Sequence, residues 1–237
     1  MNGPVLYRGR VNASRTARER ARAELVAEIT AAARRQLAAT GAAALSMRAV
    51  SREIGMVSSA LHRYFPTRDD LLTALIVQAY DALTDAVGAA DPGTGPAVHW
   101  RAVAHAVRDW ALAHPHEYAL IYGSPVPGYR AQTDTVPVAA RVLQPFARAL
   151  TAAHTAGTLP AAPDPDPALA DDAAGIRAAL DAPDLPDGTV LAALTAWTGL
   201  FGHVSFELFG QFDNAVEDRD ALFAGTVERL GRVAGLI

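Results

Sequence analysis

Four polar residues near position 60 have the types and spacing that a helix needs to recognise base-pair edges. They are Ser58, Ser59, His62 and Arg63, in the segment LSMRAVSREIGMVSSALHRYFPTRDDLL. At 3.6 residues per turn, these four residues fall on one side of a helix. The opposite side carries Val57, Ala60, Leu61, Tyr64 and Phe65. Such a helix, packed by its apolar side, can present its polar side to the major groove of DNA.

The residues around this face predict the elements that position it. Ser46 is a candidate N-cap of a preceding helix, and Gly55 ends that helix and permits a tight turn. The polar helix stops at Pro66, because the residue before a proline avoids the helical conformation. Thr67 caps the next helix, whose first turn carries two aspartates that complement the helix dipole. The sequence therefore predicts a helix-turn-helix.

The charge distribution restricts contact with phosphates to the first part of the chain. The 237 residues carry a formal net charge of −4 and contain no cysteine. Residues 1–70 hold 12 arginines against 6 acidic residues, whereas residues 71–237 hold 9 against 19. Without cysteine there is no disulfide framework or thiolate metal site. No apolar run approaches the length of a membrane span and no signal peptide is present, which predicts a cytoplasmic protein without a membrane partner.

Proline- and glycine-rich breaks divide the remaining chain into helical segments, so we expect an all-α fold. The first helix is predicted to begin at Thr16, which forms a capping box with Glu19, and to end at Gly41. Later helices are expected at 97–113, from 115, and at 138–156, 168–180, 188–212 and 219–235. The predicted domains are a flexible basic arm at 1–14, a helix-turn-helix domain at 15–66, and an effector-binding and dimerisation domain at 67–237.

From Ala31 to Ile76 the chain resembles the N-terminal domain of the TetR/AcrR family of bacterial transcriptional regulators. The resemblance rests on SMRAVSREIG at 46–55 and on SALHRYFPTRDDLL at 59–72, where L-x-x-Y-F precedes a turn, a basic residue and leucines. It implies a homodimeric repressor with a three-helix DNA-binding head and a larger helical effector domain. Such a repressor binds a palindromic operator and is released by a small apolar or amphipathic effector.

The resemblance also implies roles for individual residues. Ser46 and Tyr64 would contact phosphates, Arg48 would read bases, and Arg68 would bind the DNA backbone. From its chemistry, Arg63 can pair with guanine or a phosphate, and His62 can act as a donor to either. Two departures are Val57, where the family usually has a hydroxyl residue, and His62, where it often has tyrosine. The complete predicted DNA-binding set is Ser46, Arg48, Ser58, Ser59, His62, Arg63, Tyr64 and Arg68.

The arginine-rich segment 8–22 has two interpretations. It can be an arm that enters the minor groove beside the site read by the helix-turn-helix. It can also be a solvated run of charge that contributes only unspecific attraction to DNA. The sequence leaves both interpretations open.

The last two predicted helices are the candidates for dimerisation. The helix containing LAALTAWTGLFGHVSFELFGQF is apolar over more than one face, so it needs two partners. One partner can be its own domain and the other the second subunit, in a four-helix bundle. The predicted interface residues are Val204, Leu208, Phe212, Phe223, Val227 and Leu230.

Two segments, 114–129 and 196–210, are similar to an effector-domain type with a Trp-x-x-x-His-Gly signature. Trp197 and Gly202 fit this signature, whereas Phe201 stands at the histidine position and His203 follows the glycine. Aromatic residues of this domain can line an apolar ligand pocket or can be core and dimer contacts. The candidate ligand-binding residues are Trp100, Trp110, Tyr118, Tyr122, Phe146, Trp197 and Phe201.

Two other functions are weaker alternatives. The first is a DNA-binding dimer without a small-molecule ligand. The second is an all-α enzyme with carboxylate catalysis by Asp171, Asp172, Asp181 and Glu207, but Ser124 lacks a nucleophile elbow and no triad or phosphate loop is present. We expect no cofactor and no metal, because His105, His114, His116 and Glu117 lack the spacing of a metal site.

Overall fold

The computed structural model describes residues 7–90, 95–130 and 135–237, and the side chains of these residues except those of 7–16 and 136. Regular secondary structure in these ranges is entirely helical, which confirms the all-α prediction. The α-helices are α1 (Tyr7–Thr40), α2 (Met47–Glu53), α3 (Ser58–Leu61), α4 (Arg68–Gly88), α5 (Pro96–Ala113), α6 (Pro115–Tyr122), α7 (Thr135–Arg141), α8 (Gln144–Thr155), α9 (Ala170–Leu180), α10 (Asp187–Leu208) and α11 (Arg219–Val233).

The first compact unit, here called the head, comprises Met1–Leu75 and Pro125–Ala131. Gly41 and Gly55, with φ of 76° and 66°, follow α1 and α2 in the left-handed conformation that glycine adopts without strain. Ser46 caps α2 by accepting a hydrogen bond from the amide of Ala49. The head core consists of fully or almost fully buried side chains, including Ile29, Leu37, Leu45, Val50, Leu61, Phe65, Leu71 and Leu72.

Helix α1 begins earlier than the sequence pattern predicted. It starts at Tyr7, so Thr16 lies inside the helix and the capping box predicted there is wrong. Alanine, arginine and glutamate dominate this stretch, and they are strong helix formers that outweigh the single Gly9. The arm predicted at 1–14 is helical from Tyr7 onward, and residues 1–6 lie outside the described residues.

The second unit, here called the body, comprises Ile76–Ser124 and Gln132–Ile237. Its core contains the rings of Trp100, Tyr118, Phe146 and Phe223, all of them buried. The single helix predicted at 138–156 is two helices, α7 and α8. Pro145 lies in the first turn of α8, a position that proline tolerates because the missing N–H has no partner there anyway.

Helices α4 and α10 are long and apolar enough to meet the length and composition criteria for a membrane span. The sequence had been expected to contain no such segment. In each helix, 44% of the 18-residue segment that meets these criteria is buried inside the protein. Core helices of soluble proteins meet the same criteria. The two helices are therefore weak evidence for a membrane.

Candidate nucleic-acid interface and ligand site

The predicted DNA-reading face consists of Ser58, Ser59, His62 and Arg63, here called the reading face. Two buried residues hold the segment that carries it. Leu61 and Phe65 are buried in the head, whereas Ser59, His62 and Arg63 are exposed. Helix α3 is a single turn of four residues, and hydrogen-bonded turns continue the chain to Phe65. The exposed side chains are thus held by a segment whose opposite side is fixed in the core.

The structure exposes Val57, contrary to the prediction from the sequence. It was assigned to the apolar inner side, but 69% of it is exposed. Val57 is the N-cap residue of α3, and its side chain makes no capping hydrogen bond. The family's usual hydroxyl residue could cap the helix at this position, but valine cannot. Helix α3 therefore begins without side-chain capping, next to the exposed polar face.

The contacts of His62 define its hydrogen-bonding character. Its Nδ1 lies 2.9 Å from the carbonyl oxygen of Pro66, which can only accept a hydrogen bond. A hydrogen bond at this distance requires the proton on Nδ1. The other ring nitrogen, Nε2, is the one left for DNA, so His62 stays a predicted contact to a base edge or a phosphate.

The guanidinium of Arg68 is directed at the head's own backbone. Its Nε donates to the carbonyl of Leu45 (3.1 Å), and its Nη2 donates to the carbonyls of Ala42 (2.8 Å) and Ala43 (3.1 Å). Its Nη1 lies 3.8 Å from a carboxylate oxygen of Asp69. Arg68 therefore ties the start of α4 to the connection between α1 and α2. These bonds favour a positioning role over the predicted contact with the DNA backbone.

Three further candidate DNA-binding residues lie outside α3. Arg48, in the first turn of α2, is exposed. Ser46 is half-buried, and its backbone amide donates to the side-chain oxygen of Gln36 at 2.7 Å. Tyr64 is half-buried, and the guanidinium of Arg22 on α1 lies over its ring, 5.1 Å from the centroid. Arg22 was not among the predicted residues, because its contact joins positions 42 residues apart in sequence.

Six of the seven predicted ligand-binding residues form one aromatic cluster in the body. Ring centroids of successive members lie 4.3–5.6 Å apart. The members, in contact order, are Trp100, Phe146, Trp197, Phe201, Tyr122 and Tyr118. Tyr80 on α4 extends the cluster through an edge contact with Tyr122 at 6.0 Å, which sequence reasoning missed.

Trp110 lies apart from this chain of rings. It stacks on His114 at 5.3 Å, and His114 Nδ1 lies 3.0 Å from the carbonyl of Trp110. His114, at the junction of α5 and α6, is thus engaged within the protein by the ring and the carbonyl of Trp110. Within the described residues, no group of three potential metal ligands comes together.

The hydroxyl groups of the aromatic cluster lie in an apolar environment. Tyr118 lies within hydrogen-bond distance of the carbonyl of Phe201 (3.1 Å) and the hydroxyl of Ser205 (2.9 Å). Burial raises the pKa of Tyr118 to about 12, and the hydrogen bond with Ser205 opposes that rise. Burial also raises the pKa values of Tyr122 and Tyr80. The cluster therefore offers neutral phenols among hydrocarbon surfaces.

The predicted dimer residues divide into two groups. Val204, Phe223 and Val227 are buried in the core of their own subunit, so the prediction does not hold for these three. The half-buried residues are Leu208, Phe212 and Leu230. Helix α10 instead exposes Leu194, Phe206 and, at its end, Phe209, with exposed fractions of 38%, 54% and 44%. Thr198 and Gly202 are exposed between them.

A buried ion pair joins three helices of the body. Arg108 on α5 donates through Nε (2.8 Å) and Nη2 (2.7 Å) to the two carboxylate oxygens of Glu207 on α10. Nη2 also donates to Asp220 on α11, and the guanidinium lies over the ring of Phe223. Sequence reasoning had considered Glu207 only as a candidate catalytic acid. In the structure Arg108 pairs with both carboxylate oxygens of Glu207, which indicates a structural role for this residue.

Comparison with known proteins identifies the class to which this fold and these sites belong. Residues 29–75 match the family model described as bacterial regulatory proteins, tetR family. Residues 100–230 match the model of the tetracyclin repressor-like C-terminal domain. The chain belongs to the TetR family and is a DNA-binding transcriptional regulator.

Individual relatives agree with this assignment. The HTH-type transcriptional regulators Rv1816 of Mycobacterium tuberculosis and Mb1846 of Mycobacterium bovis are each 43% identical over 202 residues, which is 82% of this chain and 85% of theirs. The crystal structure of the regulatory protein SCO4313 is 36% identical, with a TM-score of 0.74, and the match covers 90% of this chain and 97% of that one. RolR in complex with resorcinol, at 17% identity and a TM-score of 0.52 over 91% and 95% of the two chains, shares the fold.

Proposed function

We propose that the protein is a ligand-responsive repressor that binds a palindromic operator as a homodimer. The observation that supports DNA reading best is the face formed by Ser59, His62 and Arg63. All three are exposed, directly opposite the buried anchors Leu61 and Phe65. A polar face held this firmly can enter a major groove with little loss of conformational entropy.

The chemistry of each side chain suggests its partner on the DNA. The arginines Arg48 and Arg63 can donate two hydrogen bonds to a guanine edge. His62 can form a hydrogen bond with a base edge or a phosphate through Nε2. The hydroxyls of Ser46 and Tyr64 can donate to phosphates, which fixes the register without specifying sequence. Ser58 and Ser59 are small enough for the backbone to approach the base pairs closely.

Replacing Arg63 with alanine should weaken operator binding by about 1–3 kcal/mol and relax preference at one base pair. Arg48→Ala should act similarly at another base pair. The operator can be selected by the wild-type protein from random duplexes. Anisotropy titrations then give the affinity of each protein variant for the operator and for operators with a single base-pair change. Arg130→Ala is the control, because Arg130 is exposed and was not assigned to the reading face. Unchanged affinity and preference in both variants would exclude this face as the reader.

We assign the dimer interface to the outward side of α10, because it leaves large apolar side chains exposed. Leu194 and Phe206 flank a strip in which Thr198 and Gly202 are small. An added Cβ at Gly202 would meet no atom within 4 Å in the subunit. A second copy can therefore approach α10 closely along this strip.

The aromatic cluster is the proposed effector site. Phe201 and Tyr122 are in direct ring contact at 4.3 Å, so a flat apolar or amphipathic molecule would enter by displacing these side chains. It would then pack against the displaced rings and hydrogen-bond to a neutral phenol. Helix α4 continues from the head into the body, and Tyr80 on it contacts the cluster. An effector that prefers one position of α4 would shift the population of head arrangements and lower operator affinity.

Effector binding should be detectable without knowing the natural ligand. A library of phenolic and apolar compounds, including the resorcinol found with RolR, can be screened by thermal shift. We expect at least one compound to raise the melting temperature and to weaken operator binding, and Phe201→Ala to reduce both effects. If compounds stabilise the protein without changing operator affinity, the alternative of a DNA-binding dimer without an effector is favoured.

The remaining assignments follow from this function. A bacterial regulator acts on the chromosome, so we place the protein in the cytoplasm. Asp171, Asp172 and Asp181 are exposed, and Glu207 is paired with Arg108, which does not favour the alternative of carboxylate catalysis. No catalytic role is therefore proposed.

A further inference from the structure

Helix α1 carries basic residues well beyond the part that packs in the head. It is 34 residues long, or about 50 Å. Its first buried residue among those with described side chains is Ile29, and every residue from 17 to 24 is exposed. Residues 17–24 are thus not held by the head core, so packing does not explain the arginines at positions 18, 20 and 22.

The arginines of this segment are not distributed evenly around the helix. At about 100° per residue, positions 18 and 22 lie about 40° apart, on the same side of the helix. Arg20 lies about 160° from Arg22, on the opposite side. Glu19 borders the basic row of Arg18 and Arg22 and offsets part of its charge. The row still carries two arginines on one side of the helix.

The contact between Arg22 and Tyr64 places this row beside the reading face. The Arg22 guanidinium lies 5.1 Å from the centroid of the Tyr64 ring, which follows Arg63 directly in sequence. A guanidinium stacked on a ring still presents its N–H groups at its edge, where they can donate to a phosphate. Arg18 precedes Arg22 by about one turn on the same side, so it lies further along the same line.

We propose that Arg18 and Arg22 form a second DNA contact, which binds phosphates flanking the half-site read by α3. This proposal rests on the proposed operator-binding function and extends its footprint. An α-helix is about 10–12 Å wide and the minor groove about 6 Å, so a helical segment cannot thread that groove as an extended arm would. The partner is therefore the phosphate backbone. The contact should add affinity and salt dependence but no sequence preference.

The test compares Arg18→Ala and Arg22→Ala with Arg20→Ala, which removes the same charge from the other side of the helix. Operator duplexes selected by the wild-type protein are titrated by fluorescence anisotropy over a range of salt concentrations. Each lost phosphate contact should reduce the slope of log K against log salt by about 0.9. A dimer loses two contacts per substitution, so the slope should fall by about 1.8, with base preferences unchanged. Arg20→Ala should change the slope much less.

Two further measurements separate the possible outcomes. Duplexes trimmed to the half-sites should abolish the difference between Arg18→Ala and Arg20→Ala, because the flanking phosphates are gone. Arg18 does not share Arg22's contact with Tyr64, so its variant reports on charge without disturbing that ring. Equal slopes for Arg18→Ala and Arg20→Ala would overturn this inference while leaving operator reading intact. A wild-type protein without sequence preference would instead refute the proposed function.

Discussion

The Arg108→Met variant will have a free energy of unfolding about 3–5 kcal/mol below that of the wild-type protein. The substitution leaves Glu207 charged, although only 4% of its side chain is exposed. Glu207 would lose both hydrogen bonds from Arg108, at 2.7 and 2.8 Å, without gaining water in their place. Removing one partner of a buried pair is costly for this reason, even where the pair adds little net stability.

The double variant Arg108→Met/Glu207→Leu should recover most of this loss, because it removes both charges and leaves apolar groups of similar size. Chemical denaturation of the wild-type protein, the single variants Arg108→Met and Glu207→Leu, and the double variant gives the coupling free energy directly. A matched control exists on α5 and α11, two of the three helices that Arg108 connects. Arg101 on α5 also donates to a carboxylate, that of Glu228 on α11 at 3.0 Å, but this pair is solvent-accessible. Arg101→Met should therefore cost far less.

If the double variant is no more stable than Arg108→Met, the guanidinium stabilises the protein through a contact other than its pair with Glu207. The contact with the Phe223 ring is the specific alternative, because methionine also removes this cation–π interaction. In that case Glu207→Gln alone would be nearly neutral. In our interpretation Glu207→Gln is destabilising, since it removes the buried anion and leaves Arg108 paired only with the exposed carboxylate of Asp220.

Local sequence signals predicted the head most accurately. Ser46, Gly55, Pro66 and Thr67 each act through backbone conformation or a hydrogen bond within a few residues, so their effect can be read without the fold. The structure has the predicted cap at Ser46, and Thr67 exchanges hydrogen bonds with Asp70 at the start of α4. The contacts of Arg68 and Arg22 join segments far apart in sequence, and no local pattern reveals them.

The body was predicted less well, for a physical reason that α10 illustrates. This helix is apolar over most of its circumference, so periodicity cannot distinguish the side that faces its own core from a side that faces a partner. Val204 was assigned to the partner and lies in the core, whereas Phe206 was not assigned and is exposed. The ion pair of Arg108 and Glu207 was not predicted, because burial of an ion pair depends on tertiary packing.

Replacing Phe206 with glutamate will convert the proposed dimer to a monomer and reduce operator affinity by about 10²–10⁴-fold. Phe206 is 54% exposed on α10, together with Leu194 and Phe209, and a group of exposed apolar side chains on one helix indicates an interaction surface. A carboxylate there would be desolvated in the interface without a partner. A monomer binds one half-site without the effective concentration that the linked second head provides, and this accounts for the expected range. Light scattering coupled to gel filtration and operator titrations measure the two effects.

Two variants determine whether this effect comes from the interface. Gly202→Glu places the same charge at the centre of the strip without removing the ring contact between Phe206 and Phe212, so it should also give a monomer. Leu112→Glu adds the same charge at an exposed leucine of α5 and should remain a dimer. If both α10 variants remain dimeric and bind the operator normally, the second subunit does not pack on this side of α10. If they become monomeric but keep full operator affinity, recognition does not require two linked heads.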